Sequence, residues 1–190
     1  MADQLTGLLS PFLRSRRITA VGQFLGQGPL LDIGCGTGAL ARNVDSRRYL
    51  GVDQDEESIA IARNLFPAHR FLTLAEFAQS QNENQFERIV GLAVIEHVED
   101  PQRWLAWLRR LLKPGGQVVL TTPHPSVRRY HELGARIGLF SREGAKEHRE
   151  LINRHRMIQL AETSGLRVRH FRRFLSGCNQ LFVLEPTETT

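Results

Sequence analysis

The sequence predicts an α/β protein built around a parallel sheet, and three observations carry that prediction. Short runs rich in apolar residues (29–33, 49–52, 70–74, 89–95 and 117–122) alternate with stretches of helical pattern. Strands covered on both faces read as such near-continuous apolar runs. The first run leads straight into Gly34-Cys35-Gly36-Thr37-Gly38 and then Ala39-Leu40-Ala41, the order strand, tight turn, helix start. Such a junction points free backbone N–H groups at a ligand, and glycine lets the chain take positive φ where a Cβ would also block approach. Finally, 190 residues suit one domain, here 1–190, with a sizeable core.

Taken in order, residues 1–28 read as a helical N-terminal segment. Leu5, Leu8, Leu9, Phe12 and Leu13 recur at helical spacing, and Pro11 is expected to divide the segment into two short helices. After the glycine turn, Ala39–Asp45 is a short helix and Tyr49–Val52 a second strand ending at Asp53. Asp55 suits the N-cap of a helix over 56–65. Arg70–Leu74 is a third strand, and the polar run 79–85 a loop. Ile89–Ile95 is a fourth strand. Trp104, Leu105, Leu108, Leu111 and Leu112 give an amphipathic helix that Lys113-Pro114-Gly115-Gly116 stops, and Gln117–Thr122 is a fifth strand. Residues 123–150 break the alternation and read as a cover segment. A helix over 150–164 closed by Gly165 follows, then short strands over 166–174 and 180–184.

Composition narrows the function. There is no apolar run of the ~18 residues a membrane span needs and no signal-peptide pattern, which predicts a cytoplasmic protein with no membrane span. Cys35 and Cys178 stand far apart without metal-type spacing, so neither a disulfide framework nor a metal site is indicated. The net charge of +5 is uneven: up to Pro123 acids and bases balance, and beyond it 12 Lys and Arg face 7 Asp and Glu. Arginine forks pair well with carboxylate and phosphate, although a solvated basic surface is the competing reading.

The glycine spacing bears on the ligand. A dinucleotide fingerprint needs G-x-G-x-x-G, and here the third glycine comes one residue early, with Ala39 in its place. Asp32, two residues before Gly34, would repel a pyrophosphate and suits an ammonium or a sulfonium-bearing ligand. Asp53 stands 15 residues beyond Gly38, at the carboxyl end of the second strand, where an acid can accept hydrogen bonds from both hydroxyls of a ribose. The carboxyl end of the fourth strand places Leu92 and His97 at the ligand crevice. His97 is a general-base candidate by its ordinary titration range; ordering the loop is the alternative.

Leu30-Leu31-Asp32-Ile33-Gly34-Cys35-Gly36-Thr37-Gly38 resembles the first motif of class I S-adenosylmethionine-dependent methyltransferases. GVDQD (51–55), IVGLAVIEHVED (89–100) and LLKPGGQVVLTTP (111–123) follow in that family's order, so the resemblance spans roughly residues 14–123. It implies a three-layer, Rossmann-like sandwich around a seven-stranded, mostly parallel sheet, with one antiparallel strand from a closing hairpin. It also implies S-adenosyl-L-methionine as cofactor and S-adenosyl-L-homocysteine as product. Asp32, Gly34, Cys35, Gly36 and Gly38 would then cradle the methionine part, with Asp53 at the ribose, Gln54 among the cofactor contacts, and Leu92 and His97 near the sulfonium and the acceptor. Arg17 is the family's candidate for the methionine carboxylate, with Arg16 as rival. The acid that usually follows the third strand and holds the adenine amino group is either Glu76 or absent.

The acceptor pocket of such enzymes is usually built from insertions, here 123–150. If the acceptor is a hydroxyl a base is needed, and His97, His124, Tyr130 and His131 are the candidates. Arg128 and Arg129 are expected to recognise the acceptor. Nucleic acid is disfavoured: the end of the fourth strand lacks the Asn/Asp-Pro-Pro-aromatic signature of base amino-group methylation and has no cysteine for attack on a pyrimidine. A small-molecule acceptor, anionic in one reading, fits better. A non-catalytic cofactor-binding protein is the rival from another class, and a nicotinamide oxidoreductase is disfavoured by the glycine spacing.

Overall fold

The computed structural model describes residues 2–80, 83–125 and 152–187, with side chains from Pro11 onward. Seven strands, β1 (Leu30–Ile33), β2 (Tyr49–Asp53), β3 (Arg70–Thr73), β4 (Phe86–Leu92), β5 (Leu112–Pro123), β6 (Leu166–Phe174) and β7 (Asn179–Pro186), form one sheet in the order β3-β2-β1-β4-β5-β7-β6. β1 to β5 run parallel, and β7 lies antiparallel between β5 and β6. The closing hairpin and its insertion beside the fifth strand are as the resemblance implies. Strand order reverses between β1 and β4, so the loops leaving those two strands part and open a crevice at their carboxyl ends.

Five helices cover the sheet among the described residues: α1 (Ala2–Val21), α2 (Glu56–Leu65), α3 (Leu74–Ala78), α4 (Pro101–Leu111) and α5 (Arg154–Thr163). Alternation along each strand sorts the side chains onto two faces. Leu31, Ile33, Val52, Val118, Leu120 and Phe182 meet Phe77 of α3, Leu105 and Leu108 of α4, and Met157 and Leu160 of α5. On the other face Leu30, Val90, Val119 and Val183 meet Ala20 and Val21 of α1 and Ile59 and Ala62 of α2. The result is three layers with both sheet faces buried.

Several boundaries differ from the sequence expectation. α1 runs unbroken through Pro11, because a proline removes one N–H bond while the leucines and arginines flanking it favour helix. The segment after the glycine turn is a 3-10 helix, Ala39–Asn43, with no side-chain cap at its N-terminus. The third strand stops at Thr73, whose side chain caps α3. The fourth strand starts at Phe86, a buried ring packed near Phe77, and ends at Leu92, because Ala93 turns to φ +60 and donates its N–H to the Thr121 carbonyl at 2.9 Å. Lys113-Pro114-Gly115-Gly116 does not separate helix from strand. It lies inside β5: Phe86 pairs with Leu112 and Arg88 with Gln117, so the residues between form a bulge, with Gly115 at φ +74. The last helix begins only after Asn153, which caps it by accepting from the Arg156 N–H at 2.8 Å. Its buried side uses Met157, while His155 is exposed. Gly165 at φ +71 ends it as expected.

Candidate functional site

The crevice forms where β1, β2 and β4 end, and its floor is the glycine turn. The N–H groups of Gly34 and Cys35 both donate to the Val52 carbonyl, at 2.8 and 3.1 Å, which folds the turn back over β2. Gly34 sits at φ +73, and a Cβ there would stand 2.4 Å from Val94 Cγ2, so the turn and the β4 loop meet only because the residue is glycine. Gly36, at φ +51, is different: a Cβ there would meet nothing within 4 Å. Its α-carbon looks onto open space, leaving backbone that a ligand can approach. Gly38 is at φ +80 against the Phe71 ring.

Asp53 closes β2 at the rim of this turn. Its Oδ2 accepts the Gly36 N–H at 2.7 Å and its Oδ1 the Asp55 N–H at 3.0 Å. Each oxygen so held keeps a lone pair for a further donor, and the carboxylate is fixed before any ligand arrives. Asp55 in turn caps α2, accepting from the Ser58 N–H at 3.2 Å.

Asp32 lies beneath the turn, 2 % exposed, and its Oδ2 accepts the Tyr49 hydroxyl at 2.7 Å. Burial pushes its pKa up to about 7; the Tyr49 bond pulls the other way, and negative Asp53 adds to the rise. The Cys35 thiol is also raised, by burial first and then by Asp32 and Asp53, and its Sγ donates to the Gly36 carbonyl at 3.6 Å. Both are supports under the loop rather than walls of the cavity.

The cavity measures about 1570 Å³. Ile33, Gly34, Asp53, Gln54, Ala93, Val94 and His97 line its upper end, and Phe77, Trp104, Trp107 and Arg110 its continuation between α3 and α4. Thus Gly34, Asp53, Gln54 and His97 come together as the sequence suggested. Leu92 instead packs against the core on the α1 side. Glu76 does not line the cavity: its Oε2 accepts the Thr73 N–H at 2.6 Å in a capping box and an Arg63 N–H at 2.8 Å. The reason is local, since a carboxylate three residues after Thr73 completes the α3 cap.

Arg17 reaches from α1 toward the start of β7, where its Nε donates to Asn179 Oδ1 at 3.2 Å. Burial lowers its pKa, the negative charge of buried Glu96 raises it, and Arg14 lowers it. Arg16 points to a different place, a small cavity beside β6. His124 follows β5; its backbone N–H donates to the Cys178 carbonyl at 2.8 Å, and its Nε2 accepts from the Arg173 guanidinium. Partial burial and then Arg173 lower its pKa, so the neutral ring is favoured. Arg128, Arg129, Tyr130, His131 and the rest of the cover expected from Ser126 onward lie outside the described residues.

Sequence reasoning missed Val94, Trp104, Glu96 and Asn179. Trp104 was legible as part of an apolar helix face but not as a cavity wall, because a wall depends on what the neighbouring helix leaves uncovered. Glu96, next to His97, was visible in the chain; that it is 1 % exposed and close enough to act on the charge of Arg17 depends on how distant segments pack.

The fold and the turn define the class, a Rossmann-like α/β protein whose crevice opens at the reversal point of the sheet. The chain belongs to the methyltransferase domain family, whose family model matches residues 8–171. It is 31% identical over 152 residues to the ubiquinone biosynthesis O-methyltransferase of Pseudomonas aeruginosa strain UCBPP-PA14, covering 74% of this chain and 65% of that protein. The protein of the same name from Alkalilimnicola ehrlichii is 34% identical over 125 residues, 60% of this chain and 50% of the relative. The chain thus spans only half to two thirds of the length of these curated relatives. Among solved structures, an S-adenosylmethionine-dependent methyltransferase from Mesorhizobium loti superposes with a TM-score of 0.65 at 19% identity, covering 84% of this chain and 91% of the other. A Pyrococcus horikoshii OT3 protein does so with 0.70 at 19%, covering 92% and 91%. At such identities the shared feature is the fold. No helix among the described residues is long and apolar enough to cross a membrane.

Proposed function

We propose that the chain binds S-adenosyl-L-methionine in the crevice and transfers its methyl group to a hydroxyl of a small-molecule acceptor. The observation that carries this reading is the pairing of Asp53 with the open glycine turn. A carboxylate fixed by two backbone N–H groups stands beside backbone that a ligand can approach at Gly36. That arrangement fits a ribose carrying two hydroxyl donors. When bound, the cofactor would supply an electrophilic methyl group on a sulfonium.

The chain's own residues would then bind and orient. Asp53 holds the ribose, Gly34 and Gly36 admit the methionine portion, and Arg17 with Asn179 faces its carboxylate. Val94 and Trp104 exclude water from the nucleoside side. His97 lines the same cavity and takes the proton from the acceptor hydroxyl as that oxygen accepts the methyl group. Most of the rate comes from positioning, since the methyl group is already activated. An oxygen acceptor is supported by relatives named ubiquinone biosynthesis O-methyltransferases.

Isothermal titration with S-adenosylhomocysteine and with NAD, followed by methyl transfer from S-adenosylmethionine to a panel of small-molecule phenols and alcohols, tests the reading. Saturable binding of the first ligand and methyl ether formation are expected. Binding of NAD instead overturns it, and S-adenosylhomocysteine binding without transfer to any hydroxyl confines it to cofactor binding.

A further inference from the structure

A second cavity lies between α1 and β6, about 380 Å³ and lined by Arg16, Thr19, Ala20, Gln23, Arg172 and Phe174. We infer that it is an oxyanion pocket that takes a phosphate group, distinct from the methyl-transfer crevice. Arg172 donates to the Ala20 carbonyl at 2.7 Å, which fixes the guanidinium against the last turn of α1. That bond uses one of its five N–H donors, and Nε is buried with no hydrogen-bond partner. Arg16 lines the same cavity, and no carboxylate does among the described residues.

Elsewhere on this strand Arg167 and Arg169 share the Glu185 carboxylate, at 2.8 and 3.9 Å, and Arg173 lies against His124. Two guanidinium groups held around one cavity repel each other, and an anion between them turns that repulsion into two charge-assisted contacts. Gln23 adds an amide and Phe174 an apolar wall, while the Thr19 hydroxyl donates to the Ser15 carbonyl at 3.1 Å. Two forks with an added amide donor match the several oxygens of a phosphate better than the two of a carboxylate. Arg17, one position along α1 and so turned about 100° around the helix, is engaged with Asn179, which separates the pocket from the crevice.

The ligand is either free phosphate or a phosphomonoester whose organic part rests on Phe174, and the experiment separates these sources. Phosphorus NMR titration and thermal unfolding are run with inorganic phosphate, phenyl phosphate, and chloride at matched ionic strength. Phosphate is expected to bind saturably and to raise the unfolding midpoint above the chloride control. Arg16→Gln, an exposed change, should weaken phosphate roughly tenfold or more and leave the S-adenosylhomocysteine titration unchanged. Arg172→Gln should do the same; if it fails to fold for want of its bond to Ala20, Arg16→Gln alone decides. Phenyl phosphate binding tighter than phosphate assigns the pocket to a phosphomonoester, and equal binding assigns it to the free anion. Equal stabilisation by chloride, or wild-type phosphate affinity in Arg16→Gln, overturns the inference. The S-adenosylhomocysteine arm keeps this outcome separate from any failure of the methyl-transfer reading.

Discussion

Two carboxylates near the glycine turn do opposite work because their surroundings differ. Asp53 is held at the rim by two N–H donors, so it stays available to a ligand. Asp53→Ala should cost about 2–3 kcal/mol of S-adenosylhomocysteine binding, a weakening of roughly thirty- to two-hundredfold; an unchanged dissociation constant in a calorimetric titration would place the ribose elsewhere. Asp32 is enclosed under the turn and its pKa in the folded chain is raised to about 7 from an unfolded value near 4. An acid raised on folding contributes stability that is fully present below the unfolded value and is lost as pH climbs through the folded one. The wild type should therefore lose stability between about pH 4 and pH 7 relative to Asp32→Asn, by a few kcal/mol. Denaturant midpoints of the two proteins across that range check the sign: their difference should grow in favour of the asparagine and level off above about pH 7. Gly34→Ala should be harsher than Gly36→Ala for folding, since only the first collides with Val94.

At the level of elements, α4 supports the crevice from below. Asp100 caps it, accepting from the Arg103 N–H at 3.0 Å, Pro101 opens its first turn, and Leu105, Leu108 and Leu111 bury its inner face. Leu108 is fully buried, so Leu108→Ala should cost about 2–5 kcal/mol in equilibrium unfolding. Trp104 on the same helix lines the cavity, so Trp104→Ala should weaken cofactor binding as well, which Leu108→Ala should not once stability is allowed for. A smaller effect is expected at Asn153, whose replacement by alanine removes the α5 cap and about 1 kcal/mol.

For the whole molecule, the sheet brings together chain segments far apart in sequence. β7 inserts between β5 and β6, pairing Pro123 with Asn179, and so sets Asn179 beside Arg17 of the first helix. On the proposed reading, in which Arg17 with Asn179 faces the methionine carboxylate, cofactor binding is coupled to folding of the entire sheet. S-adenosylhomocysteine at a hundred times its dissociation constant should stabilise the chain by about 2.7 kcal/mol, read as a rise in the thermal midpoint that Asp53→Ala diminishes.

The parts legible in the sequence are those with local causes. Apolar runs suited to a two-sided sheet predicted the five parallel strands and short alternating runs the closing two, though not every boundary, and the Gly34, Gly36 and Gly38 turn followed by Asp53 marked the crevice. Each of these depends on residues within one strand–turn–helix unit, where period and φ preference act directly. What only the tertiary structure decided involves contacts across the fold. Among these are Arg63 reaching from α2 to Glu76, Arg16 turning to the small cavity while Arg17 meets Asn179, and the Lys113–Gly116 bulge lying within a strand. A helix-stopping motif and a strand bulge have the same composition, and a carboxylate goes to whichever donor the fold brings nearest. Those outcomes follow from which elements pack side by side, a relation that no single stretch of the chain encodes.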